Sequence, residues 1–159
     1  MHADEPHRRG EEDEDGGVYP AFSTLCERHG LRATPQRAAV YRELRGSADH
    51  PSAETIFRRV RRRLPNVSFD TVNRTLLTFA SVGAAAVVEG FGDSRRYDPD
   101  THNHHHLVCV RCRTIRDVRF PPYDDLPVPQ ELTRDFEVLS KRVVLQGLCP
   151  LCRQGPQRG

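Results

Sequence analysis

Ser68-Phe69-Asp70-Thr71-Val72-Asn73-Arg74-Thr75-Leu76-Leu77-Thr78-Phe79-Ala80-Ser81-Val82-Gly83 reads as a capped amphipathic helix. Ser68 can accept hydrogen bonds from the first-turn N–H groups, and Gly83 stands just past the end, where a left-handed residue stops a helix. Val72, Leu76, Leu77 and Phe79 recur at helical spacing on one side, leaving Thr71, Asn73 and Arg74 on the exposed side near the N-terminal end. Beyond Gly83 the period changes. Ala84 to Glu89, a Gly90-Phe91-Gly92-Asp93 turn and Arg95 to Tyr97 predict a β-hairpin. A polar-faced helix feeding a hairpin is the pattern of a winged helix-turn-helix, with Phe69 to Val82 as recognition helix and residues 84–97 as wing.

Upstream, the same rules predict three more helices. Tyr19 to His29 places Phe22, Leu25 and Cys26 on one face and ends at Gly30. Thr34-Pro35 gives the second an N-cap followed by proline at the first helical position, with Ala38, Val40, Tyr41 and Leu44 as its apolar positions before Gly46. Ser52 caps the third, which carries Ile56, Val60 and Leu64 and stops at Pro65. Downstream, His106 to Val110, Thr114 to Phe120 and Val138 to Leu145 predict strands, with a short helix from Pro129 to Phe136. The fold class is α+β. Residues 1–17 form a disordered acidic tail, 18–97 a winged-helix DNA-binding domain, 98–102 a hinge, 103–153 a small α/β metal-binding domain, and 154–159 a flexible C-terminus.

The net charge of +2 conceals an asymmetry. Residues 1–17 carry −5 and the remainder +7, nearly all of it arginine, since Lys141 is the sole lysine. A basic body suits a polyanion, and the arginines at 58, 59, 61, 62 and 63 would add salt-dependent phosphate attraction without specificity. No stretch approaches the ~18 apolar residues of a membrane helix, and the charged N-terminus lacks a secretory h-region, so the expected compartment is the cytoplasm.

Five cysteines in such a chain argue against a disulfide framework. Cys26 reads as a small buried hydrophobe. Cys109-x-x-Cys112 and Cys149-x-x-Cys152 are two knuckles whose sulfurs can turn onto one Zn(II). Four thiolates leave no open coordination position, so the expected zinc is structural and coupled to folding of the C-terminal half.

Just upstream lies His102-Asn103-His104-His105-His106, flanked by Asp98 and Asp117. On a strand His104 and His106 share a face and His105 points away, so Asp98 and Asp117 could join the first two in a mixed nitrogen and oxygen site for Fe(II), Mn(II) or Zn(II). An isolated run of this kind is otherwise a solvated loop. A small metallo-hydrolase is the competing class, but no His-Glu-x-x-His motif and no glutamate placed as general base accompany it, and the chain is expected not to be an enzyme.

Several stretches taken jointly resemble the ferric uptake regulator family. They are Gly30-Leu31-Arg32-Ala33-Thr34-Pro35-Gln36-Arg37, His50-Pro51-Ser52-Ala53-Glu54, Arg96-Tyr97-Asp98, His104-x-His106-x-x-Cys109-x-x-Cys112 and Gly147-Leu148-Cys149-Pro150-x-Cys152. The resemblance implies a homodimeric, metal-controlled repressor that dimerises through residues 103–153 and binds an inverted repeat in double-stranded DNA. It also nominates His50 as a ligand, which makes the regulatory set His50, Asp98, His104, His106 and Asp117. Asp at position 117 resembles the peroxide-responsive branch, which implies Fe(II)-catalysed oxidation of His50 and His104, with Mn(II) as an unreactive alternative. Iron-responsive and zinc-responsive repression are the neighbouring readings. Arg32 matches a basic family residue that reaches a minor groove, whereas Asn73 stands where the family carries Tyr in its Thr-Val-Tyr-Arg-Thr-Leu pattern. The family's additional metal site would need ligands at Asn103, His105, Asp124 and Lys141, and Asn103 and Lys141 are poor donors.

Overall fold

The computed structural model describes residues 17–88 and 94–155. Residues 1–16 of the expected tail, the expected Gly90 to Asp93 turn and residues 156–159 lie outside the described residues. Four helices come first: α1 (Val18–Arg28), α2 (Pro35–Arg45), α3 (Ala53–Arg61) and α4 (Phe69–Ser81). Their starts are fixed by the caps that the sequence offers. The side chains of Thr34, Ser52 and Ser68 accept from the backbone N–H of Arg37, Thr55 and Thr71, respectively. Gly30 and Gly83, at φ +61° and +73°, follow α1 and α4 in the left-handed conformation that glycine adopts without strain.

The apolar faces of these helices meet in one core. Phe22, Cys26, Val40, Tyr41, Leu44, Ile56, Val60, Val72, Leu76 and Phe79 are all buried within it. Tyr41 links the layers, with its ring 5.5 Å from that of Phe22 and 5.8 Å from that of Phe79. Strands β1 (Ala86–Val88) and β2 (Arg96–Asp98) then pair antiparallel and contribute Tyr97 to the same core.

A three-stranded sheet comes next, built from β3 (His105–Cys109), β4 (Ile115–Val118) and β5 (Val144–Gly147), with β3 in the centre. β4 pairs antiparallel to β3 through the tight turn at Cys112, and β5 pairs parallel through the longer connection. Its buried apolar cluster is small: Val88, Val108 and Ile115. The third strand differs from the sequence expectation of Val138 to Leu145. It begins at Val144 because register with β3 sets it, from His106 opposite Val144 to Cys109 opposite Gly147. The helix expected at Pro129 to Phe136 shortens to α6 (Gln130–Thr133). Two further short helices, α5 (Pro121–Asp124) and α7 (Pro150–Gln154), each open on proline. No described helix is long and apolar enough to cross a membrane.

Candidate metal centres

Two groups of metal-binding side chains form, and β3 contributes to both. At its C-terminal end, Cys109 closes the strand, Cys112 lies in the turn to β4, and Cys149 and Cys152 sit at the cap and in the body of α7. The four sulfurs lie within 4.8 Å of one another, and Cys112 Sγ is 3.7 Å from Cys149 Sγ. A disulfide requires about 2.05 Å. Tetrahedral zinc with Zn–S near 2.3 Å spaces its sulfurs about 3.8 Å apart, so the thiols fit zinc.

Backbone geometry builds this site. Arg113 N donates to Cys109 O at 2.9 Å, Val110 N to Gly147 O at 2.9 Å, and Cys149 N to Cys109 Sγ at 3.4 Å, folding both knuckles toward one point. The N–H groups of Cys112 and Cys149 hold the Cys109 thiol down to about 5. Burial, followed by the crowding of the other sulfurs, pushes Cys152 up to about 12. Four thiols so close together cannot all ionise unless a cation joins them.

At the other end of β3, three imidazoles and two carboxylates converge. His50 Nε2 lies 2.8 Å from Asp117 Oδ1 and 3.3 Å from Asp98 Oδ2. His104 Nε2 lies 2.8 Å from Asp98 Oδ2, and His106 Nε2 lies 3.4 Å from the same oxygen. All five ligand atoms fall within 4.8 Å. His104 Nδ1 lies 2.8 Å from the carbonyl of His102, which orients the ring with Nε2 toward the centre.

The elements explain the convergence. Asp98 ends β2, His106 lies in β3 with His104 just before it, and Asp117 faces His106 across the β3–β4 pair. His50 comes from the segment before α3, at φ +48°. Both ring nitrogens of His50 are buried without a properly directed hydrogen bond among the described residues. Burial works to raise the Asp98 carboxyl, but the hydrogen bond with His106 and the close approach of the His50 imidazole outweigh it and hold the group far below the usual carboxylate range. Burial similarly opposes protonation of His50, yet Asp98 and Asp117 draw its pKa up. With neutral imidazoles the group carries two negative charges, the complement of one divalent cation, and the residues fit such an ion.

Four of the five candidate ligands are almost fully buried, whereas the Asp117 side chain is 42% exposed. On that side a cleft of about 450 Å³ opens, lined by Arg45, Ser47, Asp100 and Arg119 together with His50 and Asp117.

His105 points to the opposite side, as period-two alternation requires. Its Nε2 lies 3.4 Å from Asp124 Oδ1, which also accepts from Asn103 Nδ2. The Lys141 ammonium donates to the carbonyls of Asp124 and, at 2.7 Å, of Leu126. Lys141 is thus held on backbone carbonyls at this end, and no third metal-ligand group appears among the described residues.

The residues expected to meet DNA are dispersed by comparison. Thr71 shares its hydroxyl with the Ser68 cap at 2.9 Å, Arg74 is exposed and pairs with Asp70 at 2.9 Å, and Asn73 is half-buried. Arg32 is exposed at the approach to α2, and its carbonyl accepts from Arg37. Sequence reasoning gave no separate role to Arg96, which bonds the backbone at Asp49, His50 and Arg113.

A family model described as the Ferric uptake regulator family matches residues 28–146. The peroxide-responsive repressor PerR of Staphylococcus epidermidis is 34% identical over 125 residues, covering 79% of this chain and 83% of that protein. PerR of Staphylococcus saprophyticus is 33% identical over 130 residues, 82% and 88% of the two chains. Among solved structures, the ferric uptake regulator Fur of Helicobacter pylori, described with three functional metal binding sites, is similar in fold. Its TM-score is 0.71 at 23% identity, over 87% of this chain and 93% of that one. A zinc-bound manganese uptake regulator gives a TM-score of 0.63 at 29% identity, over 80% and 97%.

Proposed function

This chain belongs to the ferric uptake regulator family, and we propose that it is a dimeric, metal-dependent transcriptional repressor that senses peroxide at the His50, Asp98, His104, His106, Asp117 centre. The observation that carries the reading is the origin of those ligands. His50 is supplied from the helical segment, Asp98 from the end of β2, and the remaining three from the sheet beyond it. Residues 18–97 act as a winged-helix DNA-binding domain, 98–102 as the hinge and 103–153 as the dimerisation domain.

A divalent ion held by all five would tie the two units together and set the separation of two α4 helices in a dimer. Two-fold binding of an inverted repeat requires that separation to match the half-site spacing. Thr71, Asn73 and Arg74 of α4 contact bases, and Arg32 reaches the adjacent groove. Turning such a switch from mostly off to mostly on takes about 5.5 kcal/mol of differential binding, a scale consistent with five ligands. The dimer face draws support from Phe136, Leu139, Val144, Leu145 and Leu151, large apolar side chains exposed around the sheet and its C-terminal end. The four cysteines hold structural zinc.

The resemblance to peroxide-responsive repressors favours a specific signal. Fe(II), when bound, supplies the electron transfer to peroxide that Mn(II) does not. The oxidisable atoms beside the centre are imidazole ring carbons, and the family resemblance points to those of His50 and His104. In the net reaction one peroxide oxygen is added to the imidazole and the other leaves as water, a two-electron oxidation of the ring. A ligand oxidised in this way loses its hold, the units separate and DNA is released.

Anaerobic loading with Fe(II), brief exposure to low peroxide and peptide mass spectrometry test the proposal. One added oxygen on His50 or His104, absent from the Mn(II) form, is the expected result. An unmodified histidine in an iron-loaded protein that nevertheless releases DNA would transfer the reading to an iron- or zinc-responsive repressor.

A further inference from the structure

Two non-glycine residues among those described adopt positive φ, His50 at 48° and Arg113 at 63°. One precedes α3 and the other directly follows Cys112, yet a single guanidinium donates to the carbonyls of both. Arg96 donates from Nε to the carbonyl of His50 and from Nη1 to that of Arg113 at 3.4 Å. Its Nη2 donates to the carbonyl of Asp49 at 2.9 Å. Left-handed backbone at such residues persists only where the surroundings over-determine it. The local sequence of His50 works against that conformation, since a residue before proline favours extended backbone.

Strand β2 supplies the constraint. Tyr97 N donates to Pro51 O at 3.0 Å, and Ser52 forms a bridge with Arg96. Arg96 and Asp98 are two residues apart on this strand and share a face. One strand thus grips the backbone of His50 through Arg96 and meets its ring through Asp98, 3.3 Å from Nε2.

We propose that Arg96 is the positioning residue for His50, anchored on the knuckle turn at Arg113 and holding the His50 ring toward the other four ligands. The inference rests on the reading of His50 as a metal ligand. The planar fork of arginine reaches three carbonyls at once, which the point charge of lysine does not reproduce.

The test uses the full chain with its zinc content verified, and Mn(II) titration of Arg96→Ala, His50→Ala and the double variant. Loss of a group that orients a ligand costs roughly 10–100-fold in metal affinity. That loss is expected for Arg96→Ala in the native background and less than about twofold in the His50→Ala background, where there is no ring to place. Arg96→Lys should recover only part of the affinity. Equal losses in both backgrounds would overturn the proposal by making Arg96 a general structural support. Native affinity in Arg96→Ala, with a loss in His50→Ala, would refute the clamp and leave the ligand reading standing. Unchanged affinity in His50→Ala would refute that reading and the clamp with it. Should Arg96→Ala fold poorly, Arg96→Gln and hydrogen exchange of the metal-free protein decide the matter. Faster exchange across residues 49–52 with α4 unchanged is expected, and unchanged exchange at 49–52 overturns the proposal.

Discussion

Removing zinc from the four-cysteine site should unfold the second half of the chain while the helical half keeps its structure. Among the described residues, the buried apolar cluster at the sheet of β3, β4 and β5 consists of its own Val108 and Ile115 together with Val88 of β1. Fully burying such side chains contributes about 1.5–3 kcal/mol each. Ordering β3, β4 and the turn between them costs roughly 1–2 kcal/mol per residue, so burial falls short by on the order of 10 kcal/mol. Structural zinc supplies apparent free energies of about 10–16 kcal/mol in small zinc domains, the size of the deficit. A high-affinity chelator, with metal content followed by mass spectrometry, sets up the comparison. Hydrogen exchange resolved by peptide should show protection lost across residues 105–118 and 144–147 and retained in α2 and α4. The melting transition of the helical core should persist. Full protection of β3 after verified zinc loss would refute the reasoning, because burial and the dimer face would then suffice without the metal.

Asp98→Asn leaves the centre with one negative charge instead of two and replaces an anionic ligand by a neutral amide, so Mn(II) affinity read by titration should fall at least as far as the roughly 10–100-fold that follows loss of a supporting group. Phe79→Ala empties a fully buried site against Tyr41 and should destabilise the helical core by about 3–5 kcal/mol in urea unfolding, with zinc content unchanged. Asn73→Ala should relax sequence preference at one operator position in fluorescence anisotropy. Arg62→Ala, by contrast, should weaken all sequences alike and reduce the salt slope by about one. Leu145→Glu, on the exposed part of β5, should shift sedimentation toward the monomer while the metal-loaded fold persists.

The sequence made the helical half legible because its signals are local. Thr34, Ser52 and Ser68 announce their helices by chemistry completed within three residues, and the hydrogen bonds from Arg37, Thr55 and Thr71 complete it. The cysteine knuckles were legible for the same reason. Strand β5 was less so, since its start depends on pairing with β3 from a distant part of the chain. His50 lay beyond any local rule. A pre-proline position reads as extended, while the residue occupies φ +48° under the control of β2. Only the family resemblance nominated it.

The placement of the two centres on one strand bears on how the protein can work. Cys109 ends β3, and His106 lies three residues earlier, with His104 just before the strand. Through β3 the cysteine site holds β4 by its turn and β5 by its closing knuckle, and these pairings set Asp117 opposite His106. Three of the five ligands therefore belong to a frame stapled at its far end. Asp98 and His50 belong to the other side, tied to each other through β2. On the proposed reading, a tight structural ion would make one half of the switch rigid, so that loss of a single ligand in the exchangeable centre would be expressed as movement between units. Were both halves soft, the same oxidised histidine would be absorbed by local rearrangement and the spacing of the α4 helices would not change.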